Sequence, residues 1–278
     1  MSRVFDALRR TGSESVAPVP NSPAAFVDAL EKTFKPESVP SVRAQLAPQS
    51  RLVFHTEPQG PAAERYRLLR LRLRAFGAAG ELKTLLITSP EARDGKSTVV
   101  LNLAAALAEK GNESVLIVEA DLRCPSLANE LGLKLPSGLT QCTKNDVGLQ
   151  SVIWRVEPMG FCLLPAGKPI NNPIELLNSE WFSRSIKKLE AAFDWVLIDS
   201  PPAIPVVDTL SLKDHADASL LVVRAGRTQQ SSIDEAVQAL GPDHILGMLL
   251  NGVEGLDRGY YQYYRHYAPG KSGDNKAK

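Results

Sequence analysis

A doubly wound, mostly parallel α/β sheet is the fold that this sequence predicts. Three observations lead to it. Apolar runs of five to seven residues alternate with helical stretches of 10–15 residues, the pattern of repeated βαβ units. The runs are apolar almost throughout, as strands are when helices cover both faces of a sheet. A Gly-Lys-Ser-Thr sequence sits where the first of these runs turns into a helix.

The elements follow in chain order. "TLLITS" (84–89) reads as the first buried strand, and "KSTVVLNLAAALAEKG" (96–111) as a helix of strong formers closed by Gly111 at the C′ position. "SVLIVEA" (114–120) and "FCLLPAG" (161–167) are further strands, and "NSEWFSRSIKKLEAAF" (178–193) is an amphipathic helix. "WVLIDSPP" (195–202), "ASLLVVRAG" (218–226) and "ILGMLLN" (245–251) complete the set. Ahead of them, "ERYRLLRLRLRAF" (64–76) supports two readings. Leucine and arginine alternate from Leu69 to Arg74 with a strand's period, whereas Tyr66, Leu69, Leu73 and Phe76 recur with a helix's. Residues 1–60 contain Pro18, Pro20, Pro23, Pro36, Pro40, Pro48 and Pro58, which predict an extended, poorly ordered arm. Two short helical patches, "SRVFDALRR" and "SPAAFVDALEKTF", interrupt it, as frayed turns in a linker or as docking peptides. The expected organisation is an arm (1–60), one α/β domain (61–251) and a tail (252–278).

Composition narrows the partners. The 278 residues carry a net charge of +1, so no nucleic acid partner is expected from bulk charge. Cys124, Cys142 and Cys162 form no CxxC pair, which suits a reducing cytoplasm. The polar N-terminus lacks a signal peptide, and no run of 18 apolar residues occurs. A soluble, cytoplasmic chain is expected, with any membrane role supplied by a partner.

The chemistry gathers at strand ends. Successive backbone N–H groups at a strand–loop–helix junction point at an anion. Asp94, Gly95, Lys96, Ser97 and Thr98 are therefore the candidate nucleotide-binding set. Lys96 would reach the β- and γ-phosphates of ATP, and the Ser97 hydroxyl would sit on Mg²⁺. The general phosphate-loop pattern has glycine five residues before Gly95, where this chain has Pro90. "VEADLR" places Glu119 and Asp121 at i and i+2 beyond the second strand, and "WVLID" ends on Asp199. Carboxylates at the C-terminal ends of parallel strands face the ligand crevice of such sheets. Any one of them alone could instead cap the next helix.

These motifs resemble those of the bacterial tyrosine kinases, autokinases that control capsular and extracellular polysaccharide production. "ITSPEARDGKST", "VLIVEADLRCPSL" and "WVLIDSPP" look like that family's Walker A, A′ and B motifs, "ERYRLLR" like its ExxRxxR element, and "LPAGKPINNPIELLNS" like its LPAG…NPxELL segment. The tail "RGYYQYYRHYAPG" holds five of the chain's six tyrosines, and it resembles the family's autophosphorylation cluster. The resemblance implies that Lys96, Asp121 and Asp199 are catalytic; a phenol needs a proton acceptor at neutral pH, for which Asp121 is the first candidate and Glu119 the second. The resemblance implies that Ser97, Asp121 and Asp199 hold the metal, and that Tyr260, Tyr261, Tyr263, Tyr264 and Tyr267 are acceptors. It places Glu64, Arg67 and Arg70 in a subunit contact of a ring, within which each tail is phosphorylated in trans. It also implies a transmembrane polysaccharide co-polymerase or chain-length adaptor that recruits the chain to the inner face of the membrane. Two residues depart from the family pattern: Glu119 stands where aspartate is usual, and Arg93 replaces a glycine of the loop.

Other readings share these features. A partitioning-type ATPase would use the same strand-end acids but has no need of a tyrosine tail, and it usually carries a second loop lysine where Pro90, Glu91 and Ala92 stand. A non-catalytic ATP-binding regulator would accommodate the Glu119 change. The tail could also be a stacking surface for single strands. The arginine-rich stretch could be a solvated helix or a contact for anionic lipid.

Overall fold

The computed structural model describes residues 35–77, 82–142 and 148–253. Its strands are β1 (Ser41–Arg43), β2 (Thr84–Thr88), β3 (Val115–Glu119), β4 (Trp154–Glu157), β5 (Cys162–Leu164), β6 (Trp195–Asp199), β7 (Ala218–Arg224) and β8 (Ile245–Asn251). They form one sheet in the order β1-β4-β5-β3-β6-β2-β7-β8. Every neighbouring pair is parallel except β4–β5, so β1 and β4 run against the other six. Four longer helices pack around it: α1 (Pro61–Gly77), α2 (Lys96–Ala108), α3 (Glu180–Ala192) and α4 (Gln230–Leu240). The predicted doubly wound, mostly parallel sheet is the observed one.

The all-apolar strands lie where the physics requires. Every residue of β2, β3 and β6 is buried, and these three are adjacent at the sheet centre in the order β3-β6-β2. Helix α2 buries the whole run from Val99 to Ala108, as a helix does when it lies between a sheet and a second helix. Its alanines at 104–106 leave room for α1. Helix α3 starts at an N-cap, where Ser179 accepts from the Phe182 amide at 3.1 Å, and it buries Phe182, Ile186 and Leu189 on one face.

Two parts of the sequence reading are resolved or revised. The ambiguous arginine-rich stretch is helical: Leu73 is buried, and Tyr66 and Leu69 pack on the core, while Phe76 is exposed. The segment read as an arm is structured from Pro36 onward. Residues 41–43 pair with β4 as an edge strand, Leu52 is 3% exposed, and the Val53 amide donates to Asn102 Oδ1 at 2.8 Å. Strands β1 ("SVR") and β4 ("WRVE") escaped the sequence reading because they are short and half polar. The two helical patches of residues 1–34 lie outside the described residues, as does the tail from 254. Among the described residues, no helix is long and apolar enough to cross a membrane.

Candidate nucleotide and phosphoryl-transfer site

The site stands on the three central strands. Loop 89–95 follows β2, Asp121 lies two residues past β3, and Asp199 ends β6. Register brings the strand ends level: Ile87 and Glu119 are both aligned with Asp199.

The loop is braced from below. Asp94 is fully buried, and its carboxylate accepts from the Glu91 amide at 3.1 Å and the Thr228 hydroxyl at 3.0 Å. The side chain predicted among the nucleotide contacts is thus spent on holding the loop in shape. Gly95 adopts a left-handed conformation with φ 96°. A Cβ there would stand 2.1 Å from Asn251 Nδ2, the same nitrogen that donates to the Asp94 carbonyl at 2.9 Å. Glycine is required at 95 for both reasons. Arg93 also has a positive φ, 68°, so an exposed arginine occupies a backbone conformation that favours glycine. Thr98 starts the second turn of interactions in α2, its carbonyl accepting from Asn102 Nδ2 at 2.9 Å.

Above the loop, four predicted residues converge. Ser97 Oγ donates to Asp199 Oδ2 at 3.0 Å, and Lys96 Nζ lies 3.8 Å from Asp121 Oδ2. Asp199 is 1% exposed, and its Oδ1 has no hydrogen-bond partner among the described residues. Burial pushes its carboxyl up from 3.8 to about 8; Lys96 and Ser97 pull the other way, and the nearby Glu119 and Asp121 charges add to the rise. A buried acid with one unspent oxygen, a hydroxyl bonded to the other and a second carboxylate close by is a hard oxygen donor set. It fits a Mg²⁺ that keeps some of its waters and shares phosphate oxygens. Binding a cation there would restore the charged form of Asp199.

Glu119 has a different task. Its Oε1 accepts from the Ser126 and Leu127 amides, both at 2.7 Å, and its Oε2 from the Ala166 amide at 2.9 Å. It is buried, and burial raises its pKa against the pull of those three amides. This carboxylate caps the one-turn helix Leu127–Glu130 and ties it to the loop after β5. Three backbone amides take most of its acceptor capacity, which speaks against the reading of Glu119 as a second base. The extra methylene relative to aspartate lets it span these amides.

Glu64, Arg67 and Arg70 lie away from the cluster, on the face of α1 turned to α2. Arg67 Nε donates to both oxygens of Glu109 at 2.9 Å and its Nη1 pairs with Glu64. Arg70 is 5% exposed and meets Glu109 at 3.0 Å. In this chain the arginines expected at a subunit contact join α1 to the C-terminal end of α2. The tail tyrosines 260, 261, 263, 264 and 267 lie outside the described residues. Sequence reasoning missed Asn251 and Thr228 beneath the loop. It missed, too, the ion pair of Arg123 with the buried Asp208, at 2.6 and 3.1 Å. An asparagine and an aspartate at strand or helix ends in an otherwise apolar setting were the available signals.

Comparison with known proteins agrees with this geometry. The family of the AAA domain matches residues 93–238. The tyrosine-protein kinase YwqD of Bacillus subtilis is 31% identical over 218 residues, covering 78% of this chain and 92% of that protein. The tyrosine-protein kinase Ptk of Acinetobacter johnsonii is 29% identical over 201 residues, 72% of this chain but 27% of its own length. The kinase domain of the Escherichia coli tyrosine kinase ETK superposes with a TM-score of 0.69 at 29% identity, over 73% of this chain and 80% of that one. With the phosphate loop, the two strand-end aspartates and this extent of similarity in one chain, the protein belongs to the bacterial tyrosine kinase family.

Proposed function

We propose that this protein is an ATP-dependent protein-tyrosine kinase that phosphorylates the tyrosine cluster of its own tail, between neighbouring copies in a ring. We propose further that it acts on exopolysaccharide or capsule synthesis and export through a membrane-spanning adaptor that recruits it from the cytoplasm. The observation that carries this reading is the convergence of Lys96, Ser97, Asp121 and Asp199 at the ends of three adjacent strands, in a chain with five phenols near its C-terminus.

The loop amides and the N-terminus of α2 hold the phosphates, and Lys96 neutralises charge as the γ-phosphoryl leaves. A Mg²⁺ held by the side chains of this site would supply electrostatic stabilisation of the charge on the transferring group. Ser97 and Asp199 hold that cation, and Asp121 accepts the phenolic proton. A phenol loses its proton near pH ~10, so at neutral pH it needs such an acceptor. Asp121 is suited to it: it is 8% exposed, and among the described residues its Oδ1 accepts from the Cys124 amide alone, at 3.0 Å. Three backbone amides already engage Glu119, so the departure from the family's aspartate falls on a side chain with a scaffold task, which favours the kinase reading over a non-catalytic regulator.

Strand β8 ends at Asn251, against its own phosphate loop. Tyr260 follows nine residues later, within ~30 Å of extended chain, a length that reaches the chain's own site or a neighbour's. The test is to incubate the full chain with ATP and Mg²⁺ and to map phosphotyrosine. Labelling of 260–267 is expected, and it should occur on a Lys96→Ala chain when a tail-truncated active chain is added. Phosphate release with no labelled tyrosine would overturn the kinase reading in favour of an ATPase, and labelling confined to each chain's own tail would overturn the transfer between copies.

A further inference from the structure

Arg93 is an exposed side chain of the phosphate loop, two residues before Gly95. We propose that its guanidinium grips the γ-phosphate of the bound nucleotide and so sets the preference of the site for a triphosphate over a diphosphate. The inference rests on the reading of this loop as an ATP site.

The backbone points to a function for this residue. Among the described residues Arg93 is the one residue other than glycine with a positive φ, at 68°. A side chain there carries strain that glycine would not. Such strain persists only where the surroundings impose it, and it gathers at ligand clamps. Here both neighbours in the loop are fixed. The Glu91 carboxylate accepts from the Ser232 hydroxyl at 2.7 Å, and the Glu91 amide donates to Asp94 at 3.1 Å. Asp94 is fully buried and also accepts from the Thr228 hydroxyl. With Asp94 turned into the protein, Arg93 is left on the open side of a braced loop.

The charges of the site point the same way. Glu119, Asp121 and Asp199 bring three carboxyl groups to the strand ends, and Lys96 pairs with one of them, Asp121, at 3.8 Å. A strongly anionic triphosphate calls for more positive charge than one shared lysine supplies. Arg123, two residues past Asp121, is committed to the buried Asp208 through two hydrogen bonds. Arg93 is uncommitted: among the described residues its guanidinium makes no hydrogen bond or ion pair. A guanidinium is always charged, and its planar fork matches phosphate oxygens. The loop amides cradle the inner phosphates, which leaves the terminal one for a cation standing outside the loop.

Calorimetry on the full chain with Mg²⁺ tests this without any phosphorylated product. The probes are ADP and a non-hydrolysable ATP analogue. Arg93→Asn removes the charge with a residue that tolerates the left-handed backbone. It should weaken the analogue about tenfold or more, and ADP no more than about twofold. Arg93→Lys should recover part of the discrimination, since a point charge replaces the fork. Arg93→Gly should lose it as fully as Arg93→Asn, while the nucleotide-free protein melts about 2 °C higher as the strain is released. A loss shared equally by ADP and the analogue would overturn the contact with the γ-phosphate. Unchanged or tighter binding of the analogue to Arg93→Asn would overturn it too, the arginine then only crowding the loop. If the unsubstituted protein binds neither nucleotide, the ATP reading falls and this role with it. If it binds both but labels no tyrosine, the kinase reading alone falls, and the measured discrimination still decides Arg93.

Discussion

Two carboxylates sit side by side where β3 and β6 end, and they have been put to opposite uses. Glu119 and Asp199 are aligned across the sheet, each is 1% exposed, and burial raises the pKa of both. Glu119 meets three backbone amides. Asp199 meets one hydroxyl and keeps an oxygen with no partner among the described residues. Burial alone therefore does not mark a functional acid. What separates scaffold from chemistry here is whether the acceptor capacity is already engaged, because an unfilled buried carboxylate oxygen beside a lysine and a second carboxylate is costly unless a ligand fills it.

The largest effect should come from Asp199→Asn. Removing the charge that holds the metal is expected to lower phosphoryl transfer by about 10²–10³-fold, the scale of losing one preorganised electrostatic group. Thermal stability of the nucleotide-free protein should hold or rise, since no buried charge remains to be desolvated. The sign follows from the raised carboxyl. Between about pH 4 and about pH 8 the folded state holds a proton that the unfolded state has lost, so stability falls as pH rises through that window and levels off above it. Asp199→Asn should flatten that slope in melts taken across the range. Mg²⁺ with nucleotide should release close to one proton at pH 7, and progressively less above pH 8, in calorimetry repeated in buffers of different ionisation heat. A steep loss of fold in Asp199→Asn would erase the distinction between the two acids.

Glu119→Ala should show the reverse profile. Three amides lose their acceptor at once, and a cost of roughly 3 kcal/mol is expected at about 1 kcal/mol each, read by denaturant unfolding. Activity per folded molecule should change far less than in Asp199→Asn. A Glu119→Ala protein that folds normally but transfers no phosphate would return Glu119 to the catalytic set.

The sequence made one side of this contrast visible and hid the other. Strand-end position and residue type identified Glu119, Asp121 and Asp199 alike, because both are legible in one dimension. Filling is not, since Ser126, Leu127 and Ala166 reach Glu119 from two separate loops. The central strands were readable for the same reason: β2, β3 and β6 are apolar at every position except their ends, where Thr84, Thr88, Glu119 and Asp199 stand. Strands β1 and β4 are short and half polar, and their pairing is set by tertiary contact. The arginine-rich stretch carried both periods, and only packing of Tyr66, Leu69 and Leu73 on the core decided it.

Beneath the phosphate loop, Asn251 offers a finer test. Among the described residues its side chain makes one hydrogen bond, to the Asp94 carbonyl, and its amide nitrogen stands where a side chain at 95 would begin. Asn251→Ala removes one neutral donor and should weaken ATP binding by about 1 kcal/mol, a factor of roughly five, with the melting temperature little moved. Equilibrium titration with a fluorescent ATP analogue would register it. No loss of affinity would mean that the loop holds its shape without this support.

Glu109 is the third term of the comparison, filled like Glu119 but far less buried. Arg67 and Arg70 both donate to it, and its side chain is 27% exposed. The bond from Arg67 holds its pKa below the ordinary carboxylate value. The stabilisation is thus present above the usual carboxylate range and is lost as pH falls through the depressed value. Solvent screening limits its size, so Glu109→Gln should cost about 1 kcal/mol or less, well below Glu119→Ala, and salt should shrink the difference. The pairing also joins α1 to α2 within one protomer; without it Arg67 keeps Glu64 and the Pro58 carbonyl, and the buried Arg70 keeps the Ala106 carbonyl. Native mass measurements on Glu109→Gln should then show no loss of assembly beyond what the small drop in stability explains. A collapse of the assembly would mean that the bridge itself shapes the subunit contact.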